Sequence, residues 1–412
     1  RETLDTPSLE RFILALLDMW ARQGGPGRHD WMLRAALAFP SEVVVRAVCD
    51  HARAWARSKG AAAQRACVAL AHLGSVHESD AAALHLAHIA ATTRFVALRK
   101  EAAEHLDSIA EARGLTRDEL DDRSTPDLGL DERGELALGF GEVHLTVQPN
   151  ESLGVILRKD GEVIRAFPRV AKSASDEEKA AHKKAKARYD AFKKDLAAIS
   201  ERQLRRLESS MSSGRAWSMD DAKRYFFQHP LAQHLARGLV WLSDEGLVFR
   251  LTRDGSFANS DDEEVNVGGD VRIAHVLELK DAEVWTGLFA DYEILQPVLQ
   301  LGRPTDVLTK AERKSGEVKR FSGAKIKAAK ILGFLESRSW QRDSTNHISA
   351  FAKTGRDGAV FKLRLEGSIE MEYLSSGEKV ELGTLSVEGR AKKGPSAVSA
   401  SEVLYDLASL CG

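Results

Sequence analysis

Cysteine is scarce in this chain. Cys49, Cys67 and Cys411 are the three among 412 residues. They are odd in number, far apart, and never in a Cys-x-x-Cys pair. That argues against a disulfide framework and against a cysteine zinc site, and it fits a reducing compartment, so the expected location is cytoplasmic. Long apolar runs are missing as well. None approaches the ~18–20 residues of a membrane span, and Arg1 and Glu2 lead into an amphipathic segment rather than a signal-peptide core. No membrane partner is therefore expected. A dominant charge is also lacking: 59 Lys and Arg stand against 61 Asp and Glu, for a net charge of -2. This excludes a globally basic nucleic-acid binder but leaves room for a local basic patch. Catalytic signatures are absent too. Gly323-Ala324-Lys325 lacks the upstream glycine spacing and the following Ser or Thr of a phosphate-binding loop, and there is no Gly-x-Ser-x-Gly elbow or Gly-x-Gly-x-x-Gly fingerprint. We expect no cofactor and no metal site. The chain begins with Arg1 rather than methionine, so we expect a piece of a longer protein or a processed form.

What the chain does have is enough apolar content for a core. Hydrophobic residues make up 43% and charged residues 29%, and the length allows two or three domains. The expected class is α+β: an all-helical N-terminal part, HEAT-like or an irregular bundle, followed by a mixed region with antiparallel sheets and one long helix. The expected domains are 1–115 (helical, repeat-like), 116–134 (an acidic linker) and 135–412 (α+β, with a possible subdivision near 300–340). In the first helix Leu9, Phe12, Ile13, Leu16, Leu17 and Trp20 recur at spacings of three and four and form one stripe, with Ser8 at the expected N-cap. Further helical patterns cover about 41–58, 61–73, 79–93 and 95–113. Gly60, Gly74 and Gly114 stand where C-terminal caps belong. No fixed repeat period links these helices.

After the acidic stretch, Val143, Leu145 and Val147 alternate with His144 and Thr146. Asp160-Gly161 is a hairpin turn signal, so 135–168 reads as an antiparallel meander. A helix from about Asp176 to Ser210 follows, with Ser175 as its cap and Tyr189, Phe192, Leu196, Ile199, Gln203 and Leu207 on one face. Helices are expected at 218–228 and 230–242, strands at 247–252 and 271–279, and a short helix at 281–290. A C-terminal antiparallel sheet is expected over 346–390, and a last helix over Ser399–Leu410.

Several stretches look familiar together: Pro126-Asp127-Leu128-Gly129-Leu130; the helix ending in Gln203-Leu204-Arg205-Arg206-Leu207-Glu208; and His229-Pro230-Leu231 with Leu239-Val240-Trp241. To these add Asp291 to Pro297 with Gln300-Leu301-Gly302-Arg303, then Trp340, Gly358 and Ser401-Glu402-Val403-Leu404. From about residue 127 onward the chain resembles a bacterial MolR-like (molybdate metabolism regulator-like) family, a domain of unknown function. The resemblance implies a regulatory setting. Its members are often joined to WGR domains and associated with AAA-type ATPase and von Willebrand-type partners. No Trp-Gly-Arg motif occurs here, and the resemblance carries over no catalytic residue.

Three constellations could carry chemistry. The first comprises His275, Glu278, Asp291, Glu293 and Arg303, with Trp285, Tyr292 and Gln296 among them. If 291–295 is extended, Asp291 and Glu293 share a face and could hold a divalent cation or act as an acid/base pair. Otherwise Tyr292 and Ile294 enter the core while the carboxylates meet water or Arg303. The second is His85 and His88, three apart on a helix, with His77 and His105 nearby in sequence: two ligands for one metal, or a packed pair. The third is basic. Residues 169–206 hold 12 Lys and Arg against 6 Asp and Glu, and 310–330 hold 8 against 2. Lys319, Arg320, Lys325, Lys327 and Lys330 could meet nucleic-acid phosphates, or be a solvated surface. Trp217, Trp241 and Trp285 are expected in packing, whereas Trp340 lies beside Arg338 and Arg342.

The functional expectation is a non-catalytic regulatory or interaction module that binds a protein partner, with nucleic acid a further partner through the basic segments. The alternative is a metal-dependent enzyme acting on a phosphate-containing substrate at the acidic 275–303 group.

Overall fold

The structure is a computed structural model that describes residues 5–29, 31–37, 41–56, 61–93, 95–150, 153–171, 173–371, 377–388 and 394–412. The chain divides into two compact units, 1–202 with 223–234 and 203–222 with 235–412.

The first unit begins with helices α1 (Thr6–Arg22), α2 (Trp31–Leu37), α3 (Glu42–Trp55), α4 (Ala61–Gly74), α5 (Asp80–Thr92) and α6 (Val96–Ala112). Their boundaries follow capping chemistry. Ser41 and Ser79 each accept a backbone N–H of the first turn, which satisfies a donor the helix cannot. Gly114, at φ +64, follows the end of α6 in the left-handed conformation that its missing Cβ allows. Three details differ from the sequence reading. The cap of α1 is Asp5, whose carboxylate accepts the Ser8 N–H at 2.6 Å, so the helix starts earlier than expected. Gly74 is helical rather than a cap; a Cβ there would come within 2.4 Å of the His105 ring, so it permits the close approach of α6. Gly60 lies outside the described residues. The helices share one core, which includes Ile13, Leu17, Trp20, Val44, Val48, Leu70, Leu86 and Leu106.

The expected acidic linker contains a helix, α7 (Arg117–Arg123), opened by a capping box between Thr116 and Glu119. Its acids are used in packing: Asp121 is buried and pairs with Arg117 and Arg202. Strands β1 (Leu136–Phe140), β2 (Val143–Pro149), β3 (Val155–Lys159) and β4 (Glu162–Val163) then form an antiparallel meander in sequence order. Asp160 and Gly161 both have positive φ (50 and 87), as a two-residue primed turn requires. The long helix α8 (Asp176–Ser213) starts at a reciprocal Ser175–Glu178 cap and buries Phe192, Leu196, Ile199, Gln203 and Leu207.

The second unit takes over within α8. β5 (Ala216–Ser218), α9 (Met219–Ala222), a π-helical turn at Lys223–Phe227 and α10 (Ala232–Ala236) follow, the turn and α10 as far as His234 belonging to the first unit. Next come β6 (Val240–Ser243), β7 (Val248–Leu251), β8 (Phe257–Ala258) and β9 (Asp270–Ile273). These strands make a five-stranded sheet in the order β5-β9-β6-β7-β8. The expected helix over 230–242 therefore ends early. All four residues of β6 are buried, and an apolar run buried on both faces has no period that distinguishes strand from helix. A 3₁₀ turn at Val276–Glu278 leads to α11 (Ala282–Asp291).

The remaining elements are α12 (Lys310–Ser315), β10 (Glu317–Val318), β11 (Lys325–Lys327), α13 (Ala328–Ser337), β12 (Gln341–Arg342), β13 (His347–Thr354), β14 (Val360–Glu370), β15 (Lys379–Glu388) and α14 (Ala397–Cys411). β10-β15-β14-β13-β12 form the second sheet of this unit, and β11 also pairs with β15. Its apolar face packs on α13 and α14 through Phe351, Phe361, Leu382, Ile331, Leu335, Leu404 and Leu407. The expected α+β class is the observed one. Among the described residues no helix is long and apolar enough to cross a membrane.

Candidate functional site

In the second unit, α14 carries an apolar face interrupted by Ser399, Ser401, Glu402 and Asp406, all buried. A carboxylate in the core must be paired, and Glu402 is. Arg303 donates from Nε to Oε1 at 2.5 Å and from Nη2 to Oε2 at 2.7 Å. His275 Nε2 lies 3.0 Å from Oε1. The His275 Nδ1 accepts the Leu277 N–H at 3.2 Å. The hydrogen-bond pattern thus assigns the proton to Nε2 and leaves neither ring nitrogen free. Burial alone would raise the Glu402 pKa, but the hydrogen bonds from His275 and Arg303 outweigh it and hold the carboxyl at about 2. Arg303 also donates to Glu208 at 2.9 Å, and Arg338 donates to the same oxygen at 2.5 Å. The Tyr405 ring lies under both guanidinium groups.

Beside this cluster, Glu278 is bonded by Arg272 (2.7 Å), Arg356 (3.0 Å) and the His275 N–H (3.0 Å). These bonds overcome the effect of burial and depress its pKa to about 2. Asp406 receives Trp340 Nε1 (2.9 Å) and Lys353 Nζ (2.7 Å), both on Oδ2. Its other oxygen is buried with no hydrogen-bond partner, and burial pushes this carboxyl upward despite the lysine. Trp340 is thus a packing residue that also donates a hydrogen bond.

A pocket of about 240 Å³ opens over these groups. On α8, Arg205, Glu208, Ser209 and Ser212 line it at one-face helical spacing. On α14, Ser399, Glu402, Val403 and Asp406 do the same. Lys353, Arg356 and Arg338 complete its charged wall.

The five sequence candidates of the acidic group separate. His275, Glu278 and Arg303 belong to the ion-pair network, but none of them lines the pocket. Asp291 and Glu293 are exposed. The segment they occupy is the end of α11 rather than a strand. The Glu293 N–H reaches the Ala290 carbonyl, the Ile294 N–H reaches that of Phe289, and Glu293 has φ +52. This is a Schellman closure with a non-glycine residue at the left-handed position. Tyr292 stays exposed, with its hydroxyl donating to Asp262 and its ring beside Arg250.

His85 and His88 are buried in α5 of the first unit. Burial, the largest influence, lowers the His85 pKa to about 4, and His88 lies 3.5 Å from Asp195. Among the described residues no group of three His, Cys, Asp or Glu could hold a metal. Of the basic candidates, Arg320 is held by Asp306, Glu312 and the Val307 carbonyl. Lys319 pairs with Glu317 and Lys325 with Glu381. Lys327 and Lys330 are exposed.

The sequence reading missed Lys353, Arg356 and Asp406. The signal available for the last was a pair of acids, Glu402 and Asp406, one turn apart in an otherwise apolar terminal helix.

Residues 161–340 match the family described as "Domain of unknown function (DUF4132)". The chain is also similar to "Uncharacterized protein YehI" of Escherichia coli (strain K12), with 32% identity over 347 residues. That alignment covers 81% of this chain and 28% of the relative, so the chain spans less than a third of the protein it matches. No solved structure matches.

Proposed function

We propose that this chain is a non-catalytic regulatory or interaction module of a bacterial multi-component system, and that its helical region docks a protein partner. The observation that carries the reading lies on α1. Ile13, Leu17 and Trp20 face the core, whereas Phe12 (63% exposed) and Met19 (48%) lie two turns apart on the outer side. Trp31 and Val43, on the next two helices, are exposed as well. Phe12 and Met19, seven positions apart, share one face of α1, and an exposed apolar face is a surface that a protein partner can cover. The MolR-like resemblance supports the multi-component setting. The tight internal pairing of His275, Glu278, Glu402 and Arg303 suits a structural role for those groups. The enzymatic alternative draws no support from the helix end at Asp291–Glu293.

The test compares the wild-type chain with Phe12→Glu/Met19→Glu in affinity capture under gentle conditions. A stoichiometric protein recovered by the wild type and lost with the double variant supports the reading. Recovery that the variant leaves unchanged, or no stoichiometric partner in several growth states, overturns it. Salt-sensitive binding of DNA or RNA, indifferent to the α1 variant and lost on replacing Lys325, Lys327 and Lys330 by Gln, would favour the basic segment instead.

A further inference from the structure

The long helix α8 carries cations that the carboxylates of its own stretch do not neutralise. Between Lys179 and Ser200 it holds seven Lys and Arg against two carboxylates. Of those two, Asp195 is buried and Asp190 is bonded by Lys186. Lys183, Lys184, Lys193 and Lys194 are exposed, and among the described residues none of the four forms an ion pair. The 310–330 segment differs, since Lys319, Arg320 and Lys325 there all meet carboxylates. Helical spacing gathers part of this charge on α8 into a strip. Lys183 and Lys194 are three turns apart, so they share one side of the helix at a separation of about 16 Å along its axis. Lys193 lies two turns from Lys186 and borders the strip on that side.

Tertiary packing brings further cations to the same side of this unit. After β4 the chain crosses α8. The Phe167 ring lies 5.3 Å from that of Tyr189 and 5.7 Å from that of His182, and the Pro168 carbonyl lies 2.9 Å from His182 Nε2. The Lys186 ammonium sits over the Phe167 and Tyr189 rings. Arg165 and Arg169, on either side of this contact in sequence, are exposed and likewise form no ion pair among the described residues. Lys183, Lys193, Lys194, Arg165 and Arg169 thus carry like charge on one part of the first unit with no carboxylate to meet it, and such a surface attracts a polyanion.

We propose that α8 and the 165–169 segment bind double-stranded nucleic acid along its phosphate backbone, without regard to base sequence. The surroundings select this polyanion. No large apolar side chain of α8 is exposed, so the strip has nothing to insert into a lipid surface. The rings of Phe140, Phe167, His182 and Tyr189 pack on one another and do not stand out as a platform for the unpaired bases of a single strand. Lysine is a point charge that neutralises phosphate without reading a base edge, and a row of such charges along a helix suits the regular row of phosphates on a duplex.

The test uses the full chain and fluorescence anisotropy of labelled short DNA duplexes of two unrelated sequences, with the matching single strands as a comparison, between about 50 and 200 mM salt. Both duplexes should bind alike, more tightly than the single strands, and affinity should fall steeply as salt rises. Lys183→Gln/Lys193→Gln/Lys194→Gln should weaken binding by at least about tenfold and reduce the slope of log affinity against log salt by about 3. Its melting temperature should match the wild type, because none of the three side chains is paired among the described residues. Arg165→Gln/Arg169→Gln should lower the slope further when combined with it. Absence of duplex binding at low salt overturns the proposal, and so does an unchanged slope in the triple variant. Loss of binding with Lys327→Gln/Lys330→Gln in place of the α8 variant moves the site elsewhere and overturns it too. Tighter binding of the single strands, or retention on phosphatidylserine vesicles without duplex binding, has the same consequence.

Discussion

Arg303 and Glu402 stand 99 positions apart in the chain and meet as a two-pronged ion pair at 2.5 and 2.7 Å in the interior of the second unit. The arginine side chain is 0% exposed and the glutamate 4%. Taking two charges out of water is costly, and only good geometry with further hydrogen bonds recovers that cost. Here the further bonds run from His275 to the carboxylate and from the guanidinium to Glu208.

Breaking the pair on one side should therefore be much worse than removing both partners. Arg303→Met leaves Glu402 buried with His275 as its remaining partner, and should cost about 3–5 kcal/mol. Arg303→Met/Glu402→Met removes both charges and should recover a large part of that loss. Urea unfolding curves of the single variants and the double variant measure the coupling. Additive losses would mean that the pair is not the unit of stability.

Two buried groups act on successive parts of the acid flank of the pH profile. Glu402 is held at about 2, against the 4.5 usual for a glutamate. Its folded-state pKa is the lower, so its contribution is present above 4.5 and is lost as pH falls toward 2. His85 is lowered from 6.5 to about 4 by burial. Its unfolded form takes up a proton first, so stability declines from pH 6.5 down to 4, by roughly 2–3 kcal/mol. His85→Leu should flatten the 6.5–4 decline, and Glu402→Gln should lessen the 4.5–2 decline, to which Glu278 also contributes. Stability measured by denaturant titration at stepped pH checks both. A 6.5–4 slope that survives in His85→Leu would place its origin elsewhere.

Gln300 is fully buried and serves two strands at once. Its side chain accepts the Val240 N–H at 2.9 Å and donates to the carbonyls of Val240 and Ala274 at 2.8 and 2.7 Å. Gln300→Leu is close in volume but removes the side-chain partner of the Val240 N–H and of the Ala274 carbonyl, at a cost of about 1–3 kcal/mol for each group orphaned, while the Val240 carbonyl keeps the Ala274 N–H at 3.0 Å. Amide exchange should accelerate at Val240 and Trp241 well before global unfolding. Unchanged protection there would show that the strands hold without the bridge.

Much of the local structure was readable from residue order. Ser175 caps α8 as expected, whereas the cap expected at Ser8 is Asp5 and the last helix, expected from Ser399, starts after a cap at Ser396. The Asp160-Gly161 turn sits where two left-handed residues are cheapest. Reading faltered where burial on all sides erased periodicity, as in β6, and where acidic residues looked solvated but paired inside, as with Asp121. The candidate group at 275–303 was half legible. His275 and Arg303 do share a carboxylate, but that carboxylate is Glu402, and Asp291 and Glu293 belong to a helix end.

Residue order by itself determined the elements, because caps, turns and hydrophobic spacing act over a few residues. It also determined which segments could bury a face. The assembly of Arg205, Arg338, Lys353, Arg356 and Asp406 around one pocket was decided only by tertiary structure. Those side chains come from two helices, a helix cap, a strand end and a turn, and no local rule relates groups whose distance is set by how sheets and helices pack.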